Sequence, residues 1–249
     1  MTSKVAVVTG ANKGIGLALA TQFSELGYTV IATVRAKAKI AGTPIAHSPN
    51  VKFVEMDANN YETIDSAVAE IEKIAPDGVD QVWNNLGVYN IGRGSDDRFK
   101  SLDPAELETH YKVNVVSPSY FTSKLIPLLE KGQSKKIVFI SSAASSFDVT
   151  KQNAEFFTAI GVIPGYASSK SALNMIALSD LILVFPYQLK PLGFTVVPLH
   201  PGVVLTSMYV AGPAITPEES ASKVRGVVEP LSSTDEFLLR NYDGSILPW

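Results

Sequence analysis

The segment Thr9-Gly10-Ala11-Asn12-Lys13-Gly14-Ile15-Gly16 lies between a run of β-formers at 5–9 and a stretch of helical periodicity starting at residue 14. Few folds place such a loop at the junction of a strand and a helix. Glycine allows a tight turn and a close approach of backbone to ligand. The unpaired N–H groups of a helix N-terminus attract anions. A plain turn could use the same glycines, but strand, loop and helix in this order form a seat for a dinucleotide pyrophosphate. Gly10, Asn12, Lys13, Gly14, Ile15 and Gly16 are therefore candidate cofactor-binding residues.

The rest of the chain repeats the strand–helix alternation. Strand-like runs at 5–9, 28–34, 51–56, 79–83, 137–140 and 194–199 are interleaved with helical patterns at 14–26, 60–74, 103–130 and 166–185. Asp103 and Pro104 supply an N-cap and a first helical residue for the third of these helices. This alternation predicts an α/β fold, a doubly wound parallel sheet with helices on both faces and ligands at the carboxyl ends of the strands. Neither a repeat nor a linker interrupts it, so one domain over 1–249 is expected. Residues 36–50 read as irregular, and 143–164 as a long connection of the kind that often carries function.

Composition removes several function classes. With 46% hydrophobic and 18% charged residues the chain can bury a sizeable core. It has no cysteine, which excludes disulfides, thiolate zinc sites and a catalytic thiol. A net charge of -3 argues against a nucleic-acid surface. The apolar runs at 5–8 and 181–185, the latter stopped by Pro186, are too short for a signal peptide or a membrane span. The expectation is a cytoplasmic protein acting on a small molecule, with no nucleic-acid or membrane partner.

The second strand ends at Val34-Arg35 and no acid follows before Lys39. An acidic residue there would accept from the ribose hydroxyls of NAD. Arg35, with Lys13 from the glycine loop, would instead welcome a 2′-phosphate, so NADP(H) is the expected cofactor. Lys37 and Lys39 read as solvated surface groups.

Tyr166 and Lys170 stand at i and i+4 of a predicted helix and so share a face. A nearby ammonium favours the phenolate and lowers the tyrosine pKa, which suits Tyr166 to proton transfer at a carbonyl oxygen. Ser141 and Ser142 close the fifth strand at the edge where ligands bind, and a hydroxyl there can hold a substrate oxygen. Asn114 is a mediocre helix former in mid-helix, which asks for a reason. His47, His110 and His200 are isolated from other metal-ligating residues, so no metal site is expected, and His200 reads as structural.

Taken in order, the glycine loop, Asn84-Asn85-Leu86-Gly87, Asn114, Ser142, Tyr166 with Lys170, and His200-Pro201-Gly202-Val203 with Thr206 resemble the short-chain dehydrogenase/reductase family. The resemblance implies a seven-stranded sheet in the order 3-2-1-4-5-6-7. It selects Ser142 over Ser141 as the substrate-oxygen partner and has Asn114 hold a water beside Lys170. It adds Asp57 as an acceptor for the adenine amine, although a turn role fits Asp57 equally well. It also adds Asn85, Gly87, Pro201, Gly202, Val203 and Thr206 as cofactor contacts, together with Tyr166 and Lys170. Homodimers or homotetramers through the helices at 103–130 and 166–185 are implied too. A narrower likeness, in Ala11–Leu17, Val30–Arg35, Tyr111–Val116 and Tyr242–Trp249, is to NADPH-dependent ketoreductases of the norsolorinic-acid ketoreductase type.

Two departures bear on substrate. Leu86 stands where the family usually has alanine, which adds bulk near the expected ribose. The gap from Ser142 to Tyr166 is longer than usual and carries Phe147, Phe156, Phe157, Ile160, Val162 and Ile163. These could face a large apolar substrate, or pack on the core or on a second subunit. Residues 203–215 read as a mobile substrate loop, with Met208 and Tyr209 available to the pocket. The expected activity is NADPH-dependent reduction of a bulky apolar ketone or aldehyde to an alcohol. The alternatives are a non-redox cyclase or isomerase with NADP as a pocket wall, motivated by Leu86, or an NADP-sensing protein. The intact Ser142, Tyr166 and Lys170 set argues against a sensor.

Overall fold

The structure is a computed structural model that describes residues 3–89, 103–159, 163–179, 192–208 and 213–249. The expected end of the catalytic helix at 180–185, Pro186, Ile160, Val162 and Tyr209 lie outside these residues. Seven strands form one sheet in the order β3-β2-β1-β4-β5-β6-β7, every pairing parallel. They are β1 (Val5–Thr9), β2 (Thr29–Val34), β3 (Val51–Glu55), β4 (Gln81–Asn84), β5 (Lys136–Ile140), β6 (Thr195–His200) and β7 (Arg240–Asn241). Strand order reverses between β1 and β4, and a crevice opens at such a reversal beyond the strand ends.

Helices cover both faces. On one side α1 (Gly14–Glu25) and α8 (Pro217–Val228) pack over a core that includes Leu19, Phe23, Trp83 and Val224. On the other side lie α2 (Tyr61–Ile74), α4 (Ser117–Lys131) and α7 (Pro164–Ser179), over a core that includes Val7, Ile64, Phe121, Leu125 and Leu173. Because both faces are buried, the central strands read as near-continuous apolar runs rather than alternating ones. Asn60 caps α2 by accepting from the Glu62 N–H. Thr216 caps α8 by accepting from the Glu219 N–H, and Glu218 and Glu219 sit at the positive end of its dipole.

The helix expected over 103–130 is not continuous. Asp103 caps α3 (Pro104–Tyr111) by accepting from the Ala105 N–H, as the sequence indicates. The helix then widens to a π-type turn at Lys112–Val116 before α4 begins. Widened turns of this kind frequently mark functional sites. Here the turn carries Asn114, fully buried, toward the loop after β4. Its Oδ1 accepts from the Val88 N–H at 2.8 Å, and its Nδ2 donates to the Val88 carbonyl at 3.0 Å and to Ser169 Oγ at 3.0 Å. One amide thus joins the widened helix, the β4 loop and α7.

The long connection after β5 is folded. A short 3-10 turn, Ala143–Ser145, leads into α5 (Phe147–Gln152) and α6 (Ala154–Ala159). Among the described residues no helix is long and apolar enough to cross a membrane.

Asn114→Ala strips the Val88 N–H and C=O of their buried partner. Guanidinium denaturation should show a loss of about 3 kcal/mol, since each orphaned buried group costs roughly 1–3 kcal/mol. An unchanged midpoint would mean that the amide does not hold the loop.

Candidate active site

The glycine loop is shaped for close contact with a ligand. Gly10 and Gly14 have φ of +67° and +56°, a region that side chains disfavour. A Cβ on Gly16 would lie 2.5 Å from the Gly10 carbonyl oxygen and would strike Asn85 Nδ2. Lys13, the residue before α1, makes no side-chain cap, and the first turn of α1 holds no acid. The helix therefore offers N–H groups and a positive dipole end to an anion, with no carboxylate in competition.

Thr9 ties this loop to the β4 end. Its hydroxyl accepts from the Asn85 N–H at 3.0 Å and the Leu86 N–H at 2.9 Å, and its carbonyl accepts from Asn85 Nδ2 at 2.9 Å. The Asn85 side chain is thus a brace for the loop. Leu86 packs, partly buried, against the core under α2 and α4, and does not line the cavity beside Ser142 and Tyr166. Its Cβ also stands against Gly10, where a Gly10 side chain would meet it at 3.3 Å.

Arg35 projects, exposed, from the end of β2. Lys37 pairs with Glu70 at 3.4 Å. Lys13 Nζ reaches Ser207 Oγ at 2.7 Å, so it bridges to the loop after β6 instead of turning toward Arg35. Asp57 Oδ1 accepts from the Asn59 N–H at 2.9 Å, a turn contact.

Two elements, β5 and α7, bring the candidate catalytic residues together. Ser142 lies two residues past β5 and accepts from the Ala144 N–H at 3.1 Å. Tyr166 and Lys170 come from the first two turns of α7. The Ser142 hydroxyl stands close enough to Tyr166 to favour its phenolate. Lys170 Nζ donates to the Ile140 carbonyl at 2.7 Å and sits 5.9 Å from the Tyr166 ring centroid. A Cβ on Gly87 would lie 3.2 Å from Asn114 Oδ1 and 3.4 Å from Lys170 Nζ, so glycine gives the amine its room. Ser141 faces away from the cavity and joins Asn174 and Ser145 in a buried network, with Ser141 Oγ 2.6 Å from Asn174 Oδ1.

The electrostatics correct one expectation. The Tyr166 pKa is pushed up to about 12, not down, because burial penalises the phenolate; the Ser142 hydroxyl pulls the other way. Burial likewise brings Lys170 down to about 8. Its amine donates to the Ile140 carbonyl, and it loses its charge as pH rises through about 8.

A cavity of about 320 Å³ opens over these groups. Ile15, Pro201, Gly202, Val203 and Thr206 line one side, and Thr206 Cγ2 would be 3.3 Å from a Cβ on Gly14. Val149, Phe156 and Phe157 of the long connection line the other side, with Met208. Phe147, 79% exposed, points elsewhere. Ile163 is buried. Three lining residues were not legible in the sequence. Tyr89 packs edge-on against Tyr166 with ring centroids 4.7 Å apart. Asn153 had no motif around it. His200, read from the sequence as structural, also lines the cavity. Its pKa is down to about 4 through burial, only partly offset by Asp243. Among the described residues no cluster of three metal-ligating side chains occurs.

Residues 4–212 match the short chain dehydrogenase family. An uncharacterized oxidoreductase of Schizosaccharomyces pombe is 32% identical, the alignment covering 100% of this chain and 99% of that protein. A short-chain dehydrogenase of Pyricularia oryzae is 27% identical over 99% of each. Among solved structures, an NADPH-bound carbonyl reductase from chicken fatty liver superposes with a TM-score of 0.87 at 24% identity, covering 100% of both chains. The carbonyl reductase Sniffer of D. melanogaster superposes with a TM-score of 0.82 at 25% identity, again over 100% of both. With the strand order, the glycine loop and the Ser142–Tyr166–Lys170 grouping already in place, these matches make the chain an oxidoreductase of the short-chain dehydrogenase/reductase family.

Proposed function

We propose that this protein uses NADPH to reduce a bulky, apolar ketone or aldehyde to the alcohol. The observation that carries the reading is that Ser142 and Tyr166, with Lys170 Nζ 5.9 Å from the tyrosine ring, meet at a cavity whose other walls include Val149, Phe156, Phe157 and Met208. The carbonyl reductases of similar fold, one with NADPH bound, support it.

The cradle fits a dinucleotide. Gly10, Gly14 and Gly16 leave no space for side chains where a pyrophosphate would lie, and the α1 N-terminus is uncapped. Asn12, Lys13 and Ile15 complete the loop. Arg35 would hold a 2′-phosphate, and Asp57, two residues past β3, would accept from the adenine amine. Pro201, Gly202, Val203 and Thr206 would hold the nicotinamide portion, with Asn85 and Gly87. When bound, the nicotinamide supplies the hydride.

The protein's own groups do the rest. Ser142 holds the carbonyl oxygen, and Tyr166 donates its phenolic proton to that oxygen as charge grows there. A pKa raised to about 12 keeps this proton in place through neutral pH, which is the state a donor needs. Lys170 stabilises the phenolate left behind while its amine is charged. Asn114 holds the loop at Val88 and stands beside Gly87 and Lys170, where it can position the water that returns a proton. Apolar side chains exposed on the widened turn and α7, Val116 and Met175, support association of copies through these helices.

Three outcomes test this reading. Tyr166→Phe should lower kcat at least a hundredfold, since positioned acid catalysis contributes about 10²–10⁴, while NADPH affinity by fluorescence titration stays. Equal turnover would overturn the assignment. The pH profile should follow Lys170. Its pKa is lowered to about 8, so the amine is charged below that pH and neutral above it. kcat/KM for reduction should fall as pH rises through about 8, and Lys170→Met should remove that step. Arg35→Glu should weaken NADPH binding about tenfold or more, and NADH binding far less, as one charge-assisted phosphate contact would. Equal losses for both nucleotides would contradict the 2′-phosphate role.

A further inference from the structure

Reacting groups occupy one end of the cavity, and most polar groups elsewhere on its wall have partners. Asn153 Nδ2 donates to the Val149 carbonyl at 2.8 Å. Thr206 Oγ1 accepts from the Met208 N–H at 3.2 Å. His200 differs. It is the last residue of β6, and its neighbour Leu199 accepts from the Ser141 N–H at 2.7 Å. The imidazole is thereby carried to the same carboxyl edge as Ser142, one strand over. It lines the cavity, yet its Nδ1 is buried without a hydrogen-bond partner.

A buried polar atom left over in a native wall calls for an account. The Tyr242 ring packs edge-on against the imidazole, with centroids 6.5 Å apart and planes at 86°, and fixes its plane. Burial keeps the ring neutral, so it carries one N–H and one bare nitrogen. A buried N–H without an acceptor is rarer than a buried lone pair without a donor. That assigns the bare nitrogen to Nδ1 and the proton to Nε2. The proton then sits on Nε2, the ring nitrogen that is not buried away, in a residue lining a cavity otherwise walled largely by Val, Phe and Met side chains.

We propose that His200 is a specificity residue whose Nε2–H donates to a second oxygen of the substrate. The substrate class is then a bulky apolar ketone that also bears a hydroxyl or a further carbonyl, distinct from the one held by Ser142 and Tyr166. This rests on the reductase reading for the chemistry, but the recognition itself is a binding property. A site that offers a buried hydrogen-bonding group discriminates against the analogue that lacks its partner.

The test is calorimetric titration of the full chain with NADP+ present, so that binding is read without turnover. The probes are a bicyclic aromatic ketone and its ring-hydroxylated analogues. The wild-type protein should bind the best hydroxylated analogue about tenfold more tightly than the bare ketone, as one net hydrogen bond implies. His200→Leu should close that gap, and His200→Gln, which keeps a donor, should restore part of it. Thermal melting of each variant reports on folding. A wild-type protein with no preference, or a preference that survives in His200→Leu, would overturn the proposal. A His200-dependent preference with no NADPH-driven reduction of either ketone would instead sink the reductase reading and leave the recognition standing.

Discussion

A primary amine is held in the interior of this protein, and much of the site is arranged around it. Lys170 Nζ donates to the Ile140 carbonyl at 2.7 Å, at the last residue of β5. A buried amine without an acceptor would be costly, and a charged one more so. The contact therefore fixes α7 against the end of the central sheet. Tyr166 lies one turn before Lys170 on that helix, so its phenol is delivered to Ser142, two residues past the carbonyl that accepts the amine. Gly87 is glycine because the amine and the Asn114 amide crowd the space its side chain would fill.

Two braces hold the neighbouring loops to this centre. Thr9 and Asn85 join the ends of β1 and β4, and so set the glycine loop against the β4 loop. Asn114 joins the β4 loop to α7 through Val88 and Ser169. Both are short polar side chains bonding to backbone, which positions a loop with few rotatable bonds. The same low-dielectric surroundings shift the titration of Tyr166 and Lys170 in opposite directions. A phenol kept protonated suits the delivery of a proton, and an amine near its midpoint suits its recovery.

The alternation of apolar strands with helical segments was legible because a doubly wound sheet buries both faces, and that burial writes itself into composition. The glycine loop, Ser142, Tyr166 and Lys170 were legible because each must occur in a fixed local setting. What escaped was cooperative or short. The widened turn at Lys112–Val116 has no propensity signature, and it carries Asn114 to the Val88 backbone. β7 has two residues and exists through pairing with β6. α8 did carry a signal in Thr216-Pro217-Glu218-Glu219, a cap followed by proline and acids. The direction of the Tyr166 shift depends on burial, which local spacing does not reveal. Leu86 packs against the core with its N–H held by Thr9, and His200 lines the cavity at the end of β6. Both are tertiary facts.

The account stands on hydride reduction with Tyr166 as the proton source. Its most direct test is stoichiometry: NADPH consumed and alcohol formed, measured together on a bulky aromatic ketone with purified protein. The account predicts one alcohol for each NADPH oxidised, with no product when the nucleotide is left out. Conversion of substrate without loss of NADPH, or tight NADPH binding with no reduction across a broad set of apolar ketones and aldehydes, would contradict it.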